Sequence, residues 1–204
     1  MLAIAREALQ LLKEDWPSGD ERVFNKKLLF CLLKANSNAR NRGEPHFDYT
    51  PTWEAQTQPV PDSDEGPEHK RPDFHWSLID HEEPDPTRSG RYFVMECKRL
   101  GEVSTSGWPF NRHYVDDGIV RFVDAKWQYG RGVSSGAMVG YIETMGFAGV
   151  LDEVQTRIGE QSLPPLSTLS STDDLSELDH SLERSFAVTP FRLIHLWIDH
   201  SGVS

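Results

Sequence analysis

The composition of this 204-residue chain limits the classes of protein to which it can belong. Its net charge of −11 at pH 7 disfavours a uniformly basic surface that binds nucleic acid alone. No apolar run approaches the length of a membrane-spanning helix, and because charges interrupt the N-terminal apolar pattern we expect no signal peptide. The two cysteines, Cys31 and Cys97, lie in apolar runs, which predicts buried free thiols. We therefore expect a cytoplasmic protein without membrane association.

Two helices are predicted at the start of the chain. Apolar residues in the range 2–16 recur at spacings of three and four, which indicates an amphipathic helix. A second helix is expected from Ser18 to about Ala35, with Ser18 and Glu21 forming a capping box. Residues 22–42 contain Lys and Arg but no acidic residue, so a locally basic face is possible on this acidic protein.

The most informative stretch contains two short apolar runs, residues 73–79 and 91–98, joined by a polar linker with Pro and Gly. Both runs are rich in aromatic and branched residues, which predicts two strands. If the strands pair antiparallel, Asp73 lies beside Glu96 and Lys98. Because side chains alternate along a strand, Glu96 and Lys98 share one face.

Two carboxylates and a lysine at one end of a hairpin suggest a metal-assisted reaction. Carboxylate oxygens are ligands that Mg²⁺ and Mn²⁺ prefer. A bound dication can activate water and stabilise charge on a phosphate. Lys98 would orient the water or balance the negative charge. The alternative is an exposed Glu/Lys pair on a strand edge, with Pro72-Asp73 as a turn.

Pro72-Asp73 followed by Glu96-x-Lys98 resembles the signature of the PD-(D/E)XK nuclease superfamily. The resemblance covers this motif and, more loosely, the order of elements from residue 18 to 145. It implies an α/β protein with a restriction-endonuclease-like core, in which a central mixed sheet is flanked by helices. A chance motif in an unrelated α/β protein is the other interpretation of these residues.

The resemblance also implies a domain organisation and a function. The nuclease-like core would occupy residues 18–145, preceded by an added N-terminal helix in 1–17 and followed by a C-terminal extension in 146–204. All three parts would form a single domain. The implied activity is Mg²⁺-dependent hydrolysis of phosphodiester bonds by an endonuclease.

The family pattern assigns roles to individual residues. Asp73, Glu96 and the backbone carbonyl of Cys97 would hold Mg²⁺ or Mn²⁺, and Lys98 would assist the attacking water. In such nucleases a Glu on the first core helix often points towards the metal, and Glu21 is the matching position. A capping role for Glu21 is the alternative.

Basic residues in the predicted helix 111–127 are candidates for phosphate contacts. Arg121 is the strongest of them because it lies between apolar neighbours, while Arg112 and Lys126 are weaker candidates. Each is also consistent with an ordinary surface charge.

The remaining elements are predicted from their apolar patterns. We expect a first strand within 49–58, a loop over 59–70, a buried strand over 138–143 and a helix over 148–158. The sequence further predicts two elements near the end of the chain: a short amphipathic helix over 173–184 and an edge strand over 191–198.

The acidic charge and the lack of a DNA-binding module favour dependence on a protein partner or a homo-oligomer. The resembled superfamily includes repair and phage-defence nucleases, and DNA is the favoured substrate. The alternative function is a catalytically inactive nuclease-like binding or assembly subunit. The sequence leaves open DNA versus RNA, strandedness, sequence specificity and the biological pathway.

Overall fold

The computed structural model describes residues 1–56, 71–172 and 174–202. The chain divides into two compact units, Met1–Pro51 and Thr52–Ser204. The described residues contain four α-helices and a seven-stranded mixed sheet, which confirms the predicted α/β class. In the described part of the chain, no helix is both long and apolar enough to cross a membrane.

The first unit contains two helices that pack against each other, α1 (Leu2–Glu14) and α2 (Glu21–Asn41). Both predicted helices are confirmed, but the bounds of the second were wrong, because α2 starts at Glu21 and continues past the predicted end near Ala35 to Asn41. Its N-cap is Asp20, whose side chain accepts a hydrogen bond from the backbone N–H of Val23 at 3.1 Å. Ser18 therefore does not cap α2, and the predicted capping box with Glu21 is not formed.

The second unit contains the sheet and two further helices, α3 (Phe110–Asp116) and α4 (Gly146–Glu160). The strand order is β1-β2-β3-β4-β7-β6-β5. The β3–β4 and β4–β7 pairs are parallel, and the others are antiparallel. The strands are β1 (Thr52–Trp53), β2 (Phe74–Ile79), β3 (Gly90–Leu100), β4 (Ser135–Ile142), β5 (Ser167–Ser171), β6 (Leu175–Leu182) and β7 (Phe191–Asp199).

Several sequence predictions for the second unit are confirmed. Strands β2 and β3 form the expected antiparallel hairpin, with Phe74 opposite Met95. Strand β4 and helix α4 lie where a buried strand and a helix were predicted. Strand β1 lies within the predicted range 49–58, although residues 57 and 58 of that range lie outside the described residues, as does the predicted loop 59–70.

Two predictions near the end of the chain were wrong. The predicted helix over 173–184 is the strand β6, in which Leu178, His180 and Leu182 are buried at alternate positions. Asp173 itself lies outside the described residues. The predicted edge strand is β7, which lies in the interior of the sheet between β4 and β6. Its nearly continuous burial is typical of a strand covered on both faces.

The predicted helix over 111–127 is broken at Gly118. Helix α3 ends at Asp116, and a separate 3₁₀ turn covers Ile119–Phe122. A Cβ atom at Gly118 would lie 2.3 Å from the carbonyl oxygen of Tyr114 and 2.4 Å from Cε of Met138. The chain can therefore make this close approach to the sheet only with glycine, and the turn that follows carries Arg121.

The core of the second unit lies between α3, α4, the 3₁₀ turn and one face of the sheet. This face includes the side of β3 on which Glu96 and Lys98 lie, because Glu96 pairs with Met138 and Lys98 with Gly140. The site residues therefore emerge from the edge of an apolar core. Fully buried members of this core include Leu100, Tyr114, Phe122, Met138, Ile142, Phe191 and Trp197.

We expect Gly118→Ala to lower the free energy of unfolding by about 1–3 kcal/mol, because the added methyl group overpacks the contact with Tyr114 and Met138. The matched control is Gly159→Ala, since Gly159 lies in α4 and a Cβ there would have no heavy atom within 4 Å. That control should gain about 0.5–1 kcal/mol from helix propensity. Urea denaturation of both variants tests the pair, and a neutral Gly118→Ala would contradict the packing argument.

Candidate active site

The turn into β2 and the end of β3 are held together through Asp73. One carboxylate oxygen of Asp73, Oδ2, accepts a hydrogen bond from the backbone N–H of Cys97 at 2.8 Å. The backbone N–H of Asp73 donates to Oε2 of Glu96 at 3.4 Å. Asp73 therefore lies beside Glu96, as the predicted antiparallel pairing requires.

Lys98 lies between the two carboxylates. Its ammonium nitrogen, Nζ, donates to Oε1 of Glu96 at 3.0 Å and to the carbonyl oxygen of Cys97 at 2.7 Å. The same nitrogen lies 3.7 Å from Oδ2 of Asp73. The structure thus brings together all the hairpin residues of the predicted site. Their catalytic role stays a prediction.

Because Asp73, Glu96 and Lys98 are largely buried, each of these charges is stabilised mainly by the others and not by water. Glu96 is only 1% exposed, while the side chains of Lys98 and Asp73 are 11% and 15% exposed. An ionised carboxylate as deeply buried as Glu96 requires paired cations and hydrogen bonds. The accessible side of the site is therefore formed by Asp73 and Lys98, with Glu96 beneath them.

Arg121 supplies a second cation to Glu96. Its guanidinium donates to Oε1 of Glu96 through Nη1 and lies 4.2 Å from the ring centroid of Trp127. Burial opposes the charge of Arg121, but the neighbouring Glu96 outweighs it, and the pKa of Arg121 is raised. We predicted Arg121 as a phosphate contact near the site. The structure places it in contact with Glu96.

Tyr129 is a second aromatic residue near Arg121, and its ring contacts that of Trp127 edge to face. Its ring centroid is 6.0 Å from Cζ of Arg121, and its buried hydroxyl has no hydrogen-bond partner among the described residues. Burial, and secondarily the charge of Glu96, raise its pKa. No motif in the sequence marks Trp127 or Tyr129 as neighbours of the site.

The other predicted site residues make other contacts or belong to the first unit. Arg112 is largely exposed and pairs with Asp116 at 3.1 Å. Lys126 is exposed, and its backbone N–H donates to Asp124. Glu21 is the first residue of α2, in the unit Met1–Pro51. A part for Glu21 in the site stays a prediction.

His75 shares the face of Glu96, because it pairs with Val94 in the β2–β3 register. It is buried, and burial lowers its pKa. Its ring contacts that of Tyr92 edge to face, at 5.6 Å between centroids. His75 is therefore a buried histidine on the face of the hairpin that carries the site.

We call Asp73, Glu96, Lys98 and Arg121 the charge quartet. Its two carboxylates balance its two cations, so the buried charges compensate one another. Among the described residues, no group of three or more His, Cys, Asp or Glu side chains is placed to hold a metal ion. A metal bound at the quartet would therefore complete its coordination with main-chain oxygen or water in addition to the two carboxylates.

The oxygens around Lys98 include one from the main chain. Oδ2 of Asp73, Oε1 of Glu96 and the carbonyl oxygen of Cys97 lie 3.7, 3.0 and 2.7 Å from the ammonium nitrogen. All three are hard oxygen donors of the kind that Mg²⁺ and Mn²⁺ prefer. The ammonium occupies the position of a cation among them, so the donor set fits a divalent ion.

Comparisons of this chain with protein-family models, with curated proteins and with solved structures found no match. The function of the chain must therefore be inferred from the chemistry of the charge quartet and from the elements that hold it.

Proposed function

We propose that the charge quartet is the active site of a metal-dependent nuclease of the PD-(D/E)XK type. The observation that carries the proposal is the convergence of Asp73, Glu96 and Lys98 on one point at the end of the β2–β3 hairpin. The spacing of the motif in the sequence agrees with this geometry. A Glu-x-Lys that occurred by chance would have no reason to lie beside a Pro-Asp from a neighbouring strand.

The arrangement of elements around the site also supports the proposal. The antiparallel hairpin β2–β3 is followed by α3 and then by β4, which pairs parallel to β3. This order agrees with the α/β core that the resemblance implies. We therefore propose a restriction-endonuclease-like fold for the core.

Each residue of the quartet has a chemical task in this proposal. Asp73, Glu96 and the carbonyl oxygen of Cys97 would hold Mg²⁺ or Mn²⁺. Bound there, the dication would supply Lewis-acid stabilisation of the charge that develops on the phosphate. Lys98 would donate a hydrogen bond to the attacking water or to a phosphate oxygen, and Arg121 keeps Glu96 in place through its hydrogen bond.

The proposed substrate is DNA, delivered with the help of a protein partner or a second copy of the chain. The net charge of −11 opposes unaided binding to a phosphate backbone. A partner that supplies basic surface would remove this obstacle. A defence or repair role is compatible with such an arrangement.

A second candidate function is a nuclease-like assembly subunit without turnover. The observation that favours it is the charge balance of the quartet, which is complete without a metal ion. In this function the quartet would stabilise the hairpin, and a partner would supply any catalysis.

The test is cleavage of plasmid, single-stranded DNA and RNA by the purified protein with Mg²⁺ or Mn²⁺. We expect cutting by the wild type that is lost in Asp73→Ala and Lys98→Ala, because each removes a member of the reacting cluster. The matched control is Asp80→Ala, which removes a carboxylate after the far end of β2, where Asp80 pairs with Arg91.

The outcomes separate the candidate functions. Cutting that survives in Asp73→Ala would refute the proposed site. No cutting, together with Mn²⁺ binding that needs Asp73, favours a nuclease that requires a partner. No cutting and no metal binding favours the assembly subunit. Circular dichroism of each variant excludes loss of folding as the cause.

A further inference from the structure

The ammonium group of Lys98 is held by the same three oxygens that the proposed metal would use. It donates to Oε1 of Glu96 and the carbonyl oxygen of Cys97 at 3.0 and 2.7 Å, and Oδ2 of Asp73 is 3.7 Å away. Mg²⁺ binds such oxygens at about 2.1 Å and cannot share their centre with an ammonium ion.

We propose that Lys98 is an intramolecular occupant of the divalent-cation site, with which Mg²⁺ or Mn²⁺ must exchange. This inference rests on the proposed function and adds a step to it. Binding of the dication moves the ammonium off Asp73, Glu96 and Cys97. The side chain then extends from β3 towards the accessible side of the site, where a phosphodiester or the attacking water would lie.

Exchange has a consequence for the order of binding. The quartet is electrically balanced with Lys98 in place, so a dication adds two uncompensated positive charges to it. A phosphodiester supplies negative charge at the same point, and each ligand should therefore strengthen the binding of the other. The free protein is expected to bind metal weakly, and more tightly in the presence of an uncleavable nucleic acid.

Arg121 provides a control for the charge of Lys98. It shows whether the affinity for the dication depends on occupation of the cation site by Lys98 or only on the loss of a positive charge near Glu96. Both Lys98 and Arg121 contact Oε1 of Glu96, so loss of either removes one positive charge from that carboxylate. Only Lys98 also contacts the carbonyl oxygen of Cys97 and approaches Asp73. Removing the occupant should therefore favour the dication more than removing Arg121 does.

The experiment measures Mn²⁺ affinity by calorimetry in wild type, Lys98→Met, Arg121→Met and Asp73→Asn. We expect Lys98→Met to bind Mn²⁺ about 10- to 100-fold more tightly than wild type, as expected for removal of one close positive charge. Arg121→Met should show a clearly smaller gain, and Asp73→Asn should lose binding.

A second readout uses the wild-type protein, so that it does not depend on the folding of a variant. Acetylation of Lys98 by a water-soluble reagent, followed by mass spectrometry, should become faster when Mg²⁺ is added. Lys26, an exposed lysine in the first unit, is the internal reference. Unchanged acetylation of Lys98 at saturating Mg²⁺ would overturn the exchange.

The affinities distinguish failure of the exchange from failure of the proposed function. Binding that depends on Asp73 but is not tighter in Lys98→Met overturns only the exchange. An equal gain in Lys98→Met and Arg121→Met also overturns it, because charge alone then explains both. No binding that depends on Asp73 in any variant removes the metal site, and with it both proposals.

Discussion

Glu96→Gln is expected to lower the free energy of unfolding by about 3–5 kcal/mol, the cost of breaking a buried ion pair from one side. The substitution keeps the shape of the side chain but removes the charge that Lys98 and Arg121 both contact. Lys98 and Arg121, both partly buried, then have only one carboxylate of the quartet left, that of Asp73. Urea denaturation followed by tryptophan fluorescence measures the loss.

The matched control is Glu160→Gln at the end of α4. Glu160 also pairs with an arginine, Arg157, at 2.6 Å, but its side chain is 57% exposed. Because water already solvates this pair, its loss should change the free energy of unfolding by less than about 1 kcal/mol. Equal effects of the two substitutions would mean that Glu96 is not held as a buried, paired carboxylate.

The double variant Glu96→Gln with Arg121→Met tests the pairing directly. If Arg121 is stabilised by Glu96, removing both partners should cost less than the sum of the single losses, because no guanidinium is left beside a neutral side chain. Lys98 then remains with Asp73 at 3.7 Å. A strictly additive double variant would show that Arg121 and Glu96 do not depend on each other.

The site on the hairpin was predictable from sequence because it depends on local rules. Alternation along a strand places Glu96 and Lys98 on one face, and antiparallel pairing brings Asp73 beside them. Both rules hold over a stretch of chain shorter than thirty residues. The contact of Arg121 with Glu96 follows from neither rule, because it depends on the break at Gly118 that redirects the chain after α3.

The two wrong predictions near the end of the chain have identifiable physical causes. In β6, Leu175, Leu178 and Leu182 also recur at spacings of three and four, so the pattern satisfies a helix as well as a strand. Only pairing with β7 decides in favour of the strand. The interior place of β7 likewise follows from its pairing with the preceding strand β6 on one side and with β4, which lies far from it in sequence, on the other.

The buried histidines of the second unit predict a loss of stability in mild acid. Burial lowers the pKa of His180 from 6.5 to about 4, although its Nε2 lies 2.7 Å from the carbonyl oxygen of Pro164. Burial and the neighbouring His180 also hold the pKa of His195 well below its usual range. Nδ1 of His195 is 2.7 Å from the hydroxyl of Tyr114, which accepts from Trp197.

The direction of the pH effect follows from proton binding in the two states. Between pH 6.5 and about 4, the unfolded chain binds a proton at His180 that the folded chain does not bind. The free energy of unfolding should therefore be highest above pH 6.5 and fall as the pH is lowered to about 4. His180 alone accounts for roughly 3 kcal/mol of this loss, and His195 adds to it.

Protonation of carboxylates lowers the free energy of unfolding in a lower pH range than protonation of the buried histidines, so the two effects can be distinguished. Burial opposes ionisation of Asp116, but hydrogen bonds from Arg157 and Arg112 outweigh it and lower the pKa of Asp116 below 3.8. Its stabilising contribution is therefore present above about pH 4 and is lost only as the pH falls further. A loss of stability between pH 6.5 and about 5 therefore comes chiefly from the buried histidines, among which His75 also has a pKa lowered by burial.

Urea denaturation between pH 8 and 4.5 tests this assignment in wild type and in His180→Gln. We expect the variant to show a smaller fall in the free energy of unfolding over this range, whatever its stability at pH 8. His46→Gln, which removes an exposed histidine of the first unit, should follow the wild type. If His180→Gln kept the full slope, the acid sensitivity would come from other groups, and His180 would not be buried in its neutral form.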